Sequence, residues 1–269
     1  MATRKSKHSR TEKADPTIAA GRLHDTIEDG YIFVFSDAHY WPGEATTAHR
    51  GMIALIKELK PKIVVCNGDA FDGASISRHP RIGWDSAPSV TEELEAVRVR
   101  LAEIEKAAKG ASLYWPIGNH DARFETYLAD KAPQFEGVAG FALKDHFPAW
   151  TPCMSVWING DLVIKHRLGG GANAAPTNAR TSGKSMVTGH LHSLKVSPIT
   201  DYNGTRFGVD TGTLARPYGQ QFLYTEDNPV DWRAGFAVFK FIDGKMMWPQ
   251  VAAVREEGVM EYCGKIYNV

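Results

Sequence analysis

The chain has 269 residues, of which 43% are hydrophobic and 23% charged, the balance of a soluble globular protein with a substantial buried core. Formal net charge is zero, but residues 1–13 set Arg4, Lys5, Lys7, Arg10 and Lys13 against Glu12, a net of +4. The remainder is therefore near −4, which excludes the strongly basic surface of a protein that coats nucleic acid. The N-terminus has no apolar core that would make it a secretory signal, and no apolar run is long enough to span a bilayer. Three cysteines without a CxxC pair argue against a disulfide framework and for a reducing cytoplasm. Residues 1–29 are expected to be a solvated basic tail and lead-in, and 30–269 a single domain.

In chain order, 31–36 (YIFVFS) predicts a buried strand and 45–59 a helix stopped by Pro61, with Met52, Ile53, Leu55, Ile56 and Leu59 on its apolar side. A second strand follows at 63–66. Ser89 and Glu92 make a capping box for the clearest helix, in which Leu94, Val97, Leu101 and Ile104 recur at helical spacing and Gly110 closes the run. A strand over 112–117 completes a β-α-β-α-β order, the pattern of parallel strands with crossover helices. Beyond it, 155–158 and 161–166 flank Asn159-Gly160-Asp161, a hairpin signal, and short strands follow near 185–189, 194–199, 205–210, 235–242 and 245–250. The second half thus reads as an antiparallel or mixed sheet packed on the first. Residues 70–90 and 168–183 read as irregular loops that rim a site. Trp84, Trp115 and Trp150 are read as packing residues.

Five short motifs carry the chemistry: Asp37-x-His39, Gly68-Asp69-x-x-Asp72, Gly118-Asn119-His120-Asp121, an isolated His166, and Gly189-His190-x-His192. Each sits where a β-forming run gives way to a loop. Together they supply eight contacts for two metal ions and leave one histidine free, the arithmetic of a two-metal hydrolase of phosphate esters. Side chains two apart on an extended segment point the same way, so Asp37 with His39, and His190 with His192, are each expected to converge. Oxygen ligands mixed with imidazole, and no thiolate, suit Mn first, with Fe, Zn, Ni or Mg as other candidates, and argue against a structural zinc site. Asp121 is read as the cap of a helix over 122–129, and His146 as capping a helix end.

Over roughly residues 31–215 these motifs resemble the calcineurin-like metallophosphoesterase superfamily. The resemblance implies a four-layer α/β/β/α sandwich of two mixed sheets flanked by helices. It also implies that Asp37, His39, Asp69 and His192 hold one metal, that Asp69, Asn119, His166 and His190 hold the other, and that Asp69 bridges. Asp72 would orient His120, which faces the substrate. A metal-bridging hydroxide would attack the phosphorus with His120 as general acid. Two divalent ions, two aspartates and that hydroxide leave the centre with a net positive charge, enough to attract an anionic phosphate.

Arg123, Arg78 and His79 are candidate substrate contacts. The family usually shows Gly after the fourth-motif histidine, where Arg167 stands here. The Ser/Thr protein phosphatases and dinucleoside-tetraphosphate hydrolases carry Arg after the second Asp of GDxxD, where Gly73 stands here. GNHD with GHxH is instead similar to the cyclic-nucleotide phosphodiesterase and DNA-repair nuclease branches, and the whole is closest to small bacterial and bacteriophage members (host cytoplasm if virally encoded). The leading expectation is a phosphodiesterase on a nucleotide or nucleic-acid ester. A DNA nuclease with the tail as tether and a phosphomonoesterase are the alternatives. A non-catalytic scaffold is opposed by the presence of His120 and every ligand. No membrane partner is expected.

Overall fold

The computed structural model of the chain describes residues 21–79 and 86–269, so the basic tail and Trp84 lie outside the described residues. One sheet has nine strands. Its path runs β15 (Lys265–Asn268), β14 (Val259–Tyr262), β13 (Gln250–Glu256), β11 (Gly235–Ile242), β2 (Gly30–Phe35), β3 (Ile63–Cys66), β4 (Ser112–Pro116) and β5 (Thr151–Cys153), with β12 (Lys245–Met246) paired to β11. Strands β2 to β5 run parallel, as their crossover helices demand. The other sheet has six strands in the order β1 (Arg22–Asp25), β6 (Ser155–Ile158), β7 (Leu162–Ile164), β8 (Ser185–Thr188), β10 (Gly204–Thr211) and β9 (Leu194–Asp201).

Period-two alternation explains how the sheets stack. From β2 and β3, Ile32, Val34, Ile63 and Val65 face the second sheet and meet Val156, Ile158, Ile164, Val187 and Val209. Their neighbours Phe33, Phe35, Val64 and Cys66 face the other way, onto helices α1 (Thr47–Leu59) and α2 (Val90–Ala107). Met52, Leu55 and Ile56 of α1 and Val97, Leu101 and Ile104 of α2 complete that layer. Thr46 caps α1 by accepting from the His49 amide, and the Ser89–Glu92 capping box opens α2 as expected. On the far side, Val163, Met186 and Ile199 pack under Ala179 of α4 (Ala174–Ser182). The result is the four-layer α/β/β/α sandwich.

Several elements differ from expectation. Residues 168–183 contain α4, which its Pro, Thr, Asn and Ser content disguised as loop. The helix forms because Ala174, Ala175 and Ala179 let it lie almost on the sheet: a Cβ at Gly208 would sit 1.8 Å from the Ala175 carbonyl oxygen. The run at 245–250 breaks into β12 and the start of β13. Strand β1 falls within the N-terminal lead-in, and β5, β14 and β15 carry no strong alternation in the sequence. Trp115 and Trp150 are buried, and each also donates from its indole, to Asp121 and to Glu105.

Glu93 of α2 is fully buried and accepts from the Gly73 and Ala74 amides at 2.6 and 3.0 Å, pinning the turn that follows Asp72. Burial and the Asp72 carboxylate push Glu93 up to about 7 against those two amides. The folded chain therefore keeps this proton while the unfolded chain loses it near pH 4.5, and stability falls as pH rises between the two values. Denaturation midpoints of Glu93→Gln should lack this slope, worth on the order of 3 kcal/mol across the window. A slope equal to that of the parent would mean that Glu93 ionises as freely in the fold as outside it.

Candidate metal centre and its cleft

All five motifs emerge from C-terminal strand ends. Asp37 follows β2, Asp69 follows β3, Asn119 follows β4, His166 follows β7 and His190 follows β8. The loops are stitched together, since the Asp37 amide donates to the Gly68 carbonyl, His39 to that of Asp69, and Gly189 to that of His166, each at 2.9 Å. The extended geometry expected for the DxH and HxH pairs is not what brings them together. Asp37, His39, Asp69, His190 and His192 all adopt left-handed backbone, with φ between 40° and 71°. Half of the ten non-glycine residues with positive φ among the described residues are thus candidate ligands. Such conformations cost about 1–3 kcal/mol each and persist where surrounding contacts impose them. Here the Asp37 Oδ2 accepts from the His190 amide at 2.8 Å and Thr213 Oγ1 donates to the Asp37 carbonyl. Gly118 is required by close approach, because a Cβ there would lie 2.1 Å from Asp69 Oδ1.

Two clusters result. Asp37, His39 and His192 offer donor atoms to one point, and Asp69, His166 and His190 to another. Asp37 Oδ1 lies 3.2 Å from His192 Nε2 and 4.0 Å from His39 Nε2, and Asp69 Oδ2 lies 3.0 Å from His166 Nε2. Asn119 Oδ1 joins the second cluster, 3.2 Å from His166 Nε2. Ligand atoms about 2.0–2.2 Å from a common ion have this kind of mutual spacing. Asp37 Oδ1 and His39 Nε2, both in the first cluster, are buried without a hydrogen-bond partner among the described residues. Orphaned buried donors and acceptors are costly, and a divalent cation satisfies them. The residues present therefore fit a pair of divalent ions.

Electrostatics agree. Burial works against ionised Asp37, but the His192 and His166 imidazoles hold its carboxyl below the usual range. Burial likewise opposes charge on His166, yet Asp69 and Asp37 push it up to about 10. Asp69 stays ionised against burial because of His166 and its neighbours. A third cluster joins the first at His39. Asp72 Oδ1 lies 2.9 Å from His39 Nδ1 and 2.8 Å from His120 Nδ1, so one carboxylate orients both rings. Burial lowers the His120 imidazole and Asp72 and Asp69 raise it, with a net rise.

His120 opens onto a cleft of about 510 Å³ walled by Trp41, His79, Gln221, Leu223 and Tyr224. Arg123 enters from α3 (Arg123–Lys131), donating from Nη1 to the Asp72 carbonyl at 2.8 Å with Nη2 3.2 Å from His120 Nε2. His79 lines the cleft, whereas Arg78 is exposed and does not line it. Gly73 has a φ of 65° and a Cβ there would crowd Arg123 at 3.2 Å, so a larger residue at 73 would compete with Arg123 for this space.

Asp121 does not cap the helix. The residue before α3 is Ala122 and no side chain caps it. Asp121 is instead buried between the loops, with Oδ2 accepting from the Asp69, Gly118 and Trp115 N–H groups and Oδ1 from the Phe71 amide. His146 closes a 3-10 turn and bonds the Gly140 carbonyl, remote from both clusters. Two contributors escaped the sequence reading. Asn67 accepts from His166 Nδ1 through its carbonyl at 2.8 Å, and its side-chain amide donates to the carbonyl of Lys165, just after β7, at 3.1 Å. Phe222, buried in the 216–233 segment, lies edge-on to both His39 and His192 with Trp232 behind it. The aromatic density of that segment was the available signal.

Fold and donor chemistry together define a class, metal-dependent phosphoesterases built on a double-sheet sandwich. The sequence model of calcineurin-like phosphoesterases matches residues 30–202, and the chain belongs to that family, whose members depend on a dinuclear metal centre. Among solved structures it is similar to Vps29 from Chaetomium thermophilum (10% identity, covering 89% of this chain and 98% of that one, TM-score 0.47). It is also similar to Yfce, a phosphoesterase from E. coli (17%, 81% and 97%, TM-score 0.37). A third is the nuclease MPE of Pseudomonas putida (14%, 81% and 86%, TM-score 0.38). No curated protein sequence matches. No helix among the described residues is long and apolar enough to cross a membrane.

Proposed function

We propose that this phosphoesterase is a phosphodiesterase that hydrolyses a nucleotide or nucleic-acid phosphate ester with manganese as the preferred ion. The observation that carries the reading is the convergence of two carboxylate–imidazole clusters beside a histidine that opens onto a cleft with aromatic and amide walls. Asp37, His39 and His192 would hold one ion, Asn119, His166 and His190 the other, and Asp69 would bridge. When bound, such ions neutralise phosphoryl oxygens and lower the pKa of water so that a nucleophile forms near neutral pH.

The chain's own groups do the rest. Asp72 fixes the His120 ring by its Nδ1 and leaves Nε2 toward the cleft, where it gives a proton to the departing alkoxide. Arg123, whose guanidinium stands beside that nitrogen, turns onto a non-bridging phosphoryl oxygen as substrate enters. Trp41 and Tyr224, which line the cleft, offer aromatic surface to the organic group of the ester.

With manganese, bis-p-nitrophenyl phosphate should turn over faster than the corresponding monoester. A faster monoester would favour phosphomonoesterase chemistry. On a dinucleotide, whose alkoxide must be protonated to leave, Asp72→Asn should move the alkaline limb of the kcat profile to lower pH, because Asp72 leads the groups that raise the acid form of His120. Metal affinity should fall about 10–100-fold as well, through loss of the His39 orienter. An unshifted alkaline limb would remove His120 as the acid.

A further inference from the structure

Beside the candidate centre, and sharing Asn119 with the cleft, lies a second concavity of about 820 Å³. Four cations, Arg22, Lys165, Arg167 and Lys184, line it, and no aspartate or glutamate does. Among the described residues, Arg22, Lys165 and Arg167 have no carboxylate within 4.0 Å. Lys184 meets only Asp161, at 2.9 Å, an exposed pair of the kind worth little. Lys165 and Arg167 flank His166 at the end of β7, so the trough begins at the reacting centre. The Arg22 guanidinium lies 4.9 Å over the Trp157 ring, and Met154 and Leu168 expose apolar surface on the same walls. Such a cluster is unexpected on a body whose net charge beyond residue 13 is near −4. Arg22 also stands only nine residues after Lys13, the last cation of the basic run.

We infer that this trough binds the backbone of a single-stranded polynucleotide whose scissile phosphate sits at the candidate centre, an inference that rests on the phosphodiesterase reading above. A mononucleotide has no further phosphates to meet four cations placed along one side of the centre. Cations that track the backbone beside apolar and stacked planar groups suit unpaired bases better than a duplex, whose bases are turned inward.

The test is fluorescence anisotropy of the full-length, manganese-loaded chain with a labelled phosphorothioate dT12, which resists cleavage, over a series of salt concentrations. Each neutralised phosphate contributes about −0.7 to the slope of log K against log salt, so four trough cations predict a slope of about −3 or steeper. Arg22→Gln with Lys184→Gln should reduce that slope by about 1.4 and weaken binding about 10-fold or more, with an unchanged melting temperature. The two single variants, each expected to give half the slope change, serve if the double variant melts early. Equal slope and affinity in the variants would overturn the proposal. So would preference for a duplex of the same length, or equal competition by inorganic polyphosphate of equal charge. Turnover of bis-p-nitrophenyl phosphate by the parent, measured in parallel, separates the two readings. Failed oligonucleotide binding with intact turnover removes the trough alone, whereas absent turnover strikes the phosphodiesterase reading.

Discussion

Replacing His120 with alanine should lower turnover about 10²-fold or more while leaving metal content intact. His120 bonds Asp72 through Nδ1 and stands outside the two clusters read as ion-binding, so its loss removes a proton donor and no ligand. The size of the loss should depend on the leaving group. A p-nitrophenolate is a weak base that departs without protonation, so bis-p-nitrophenyl phosphate should suffer less than a dinucleotide, whose alkoxide needs the proton. Equal losses on both substrates would assign His120 to holding the phosphoryl group. An unchanged rate on both would remove it from the mechanism.

The largest expected effect on stability is at Asp121. Its two oxygens accept from three backbone amides and one indole, all within 2.8–3.0 Å and all buried. Burial and the adjacent Asp69 carboxylate push this carboxyl up to about 6, and the Gly118, Phe71 and Trp115 donors oppose the rise, leaving it ionised at neutral pH. Asp121→Ala orphans all four donors at about 1–3 kcal/mol apiece, so a loss of about 4 kcal/mol or more is expected, a large part of the stability of an ordinary domain. Asp121→Asn keeps one accepting oxygen and should cost about half as much. Because the same carboxylate ties the GDxxD loop to the GNHD loop, both variants should also lower metal occupancy. Urea midpoints decide between roles, since a helix cap would cost only about 1 kcal/mol.

Much of this architecture is legible in the sequence because it rests on local signals. The Ser89–Glu92 box, the apolar run of β2 and β3, and the Asn159-Gly160 turn, with φ of 51° and 72°, each follow from residue chemistry at short range. The candidate ligands were legible as residue types at strand ends. How they converge was not. Left-handed backbone at Asp37 and His39 is imposed by bonds to Gly68 and Asp69, thirty or more residues away, and no local pattern announces it. Asp121 misled for the same reason. An aspartate before a helix is a good cap by propensity, but here tertiary donors outnumber the helix amides it could have served. Helix α4 was hidden because its packing depends on Gly208 of a strand it precedes in sequence. The trough combines residues from β1, β6, β7, β8, the end of α4 and the loops around them, and is visible only once the second sheet is assembled.

Whether a pair of ions acts together on a phosphodiester is decided by a single titration. Chain stripped of metal is titrated with manganese while bound ion and hydrolysis of bis-p-nitrophenyl phosphate are followed together. Turnover should be absent at the start and should rise and level off at two ions per chain. Activity that is full at one ion, or absent with two ions bound, would contradict joint action by the pair.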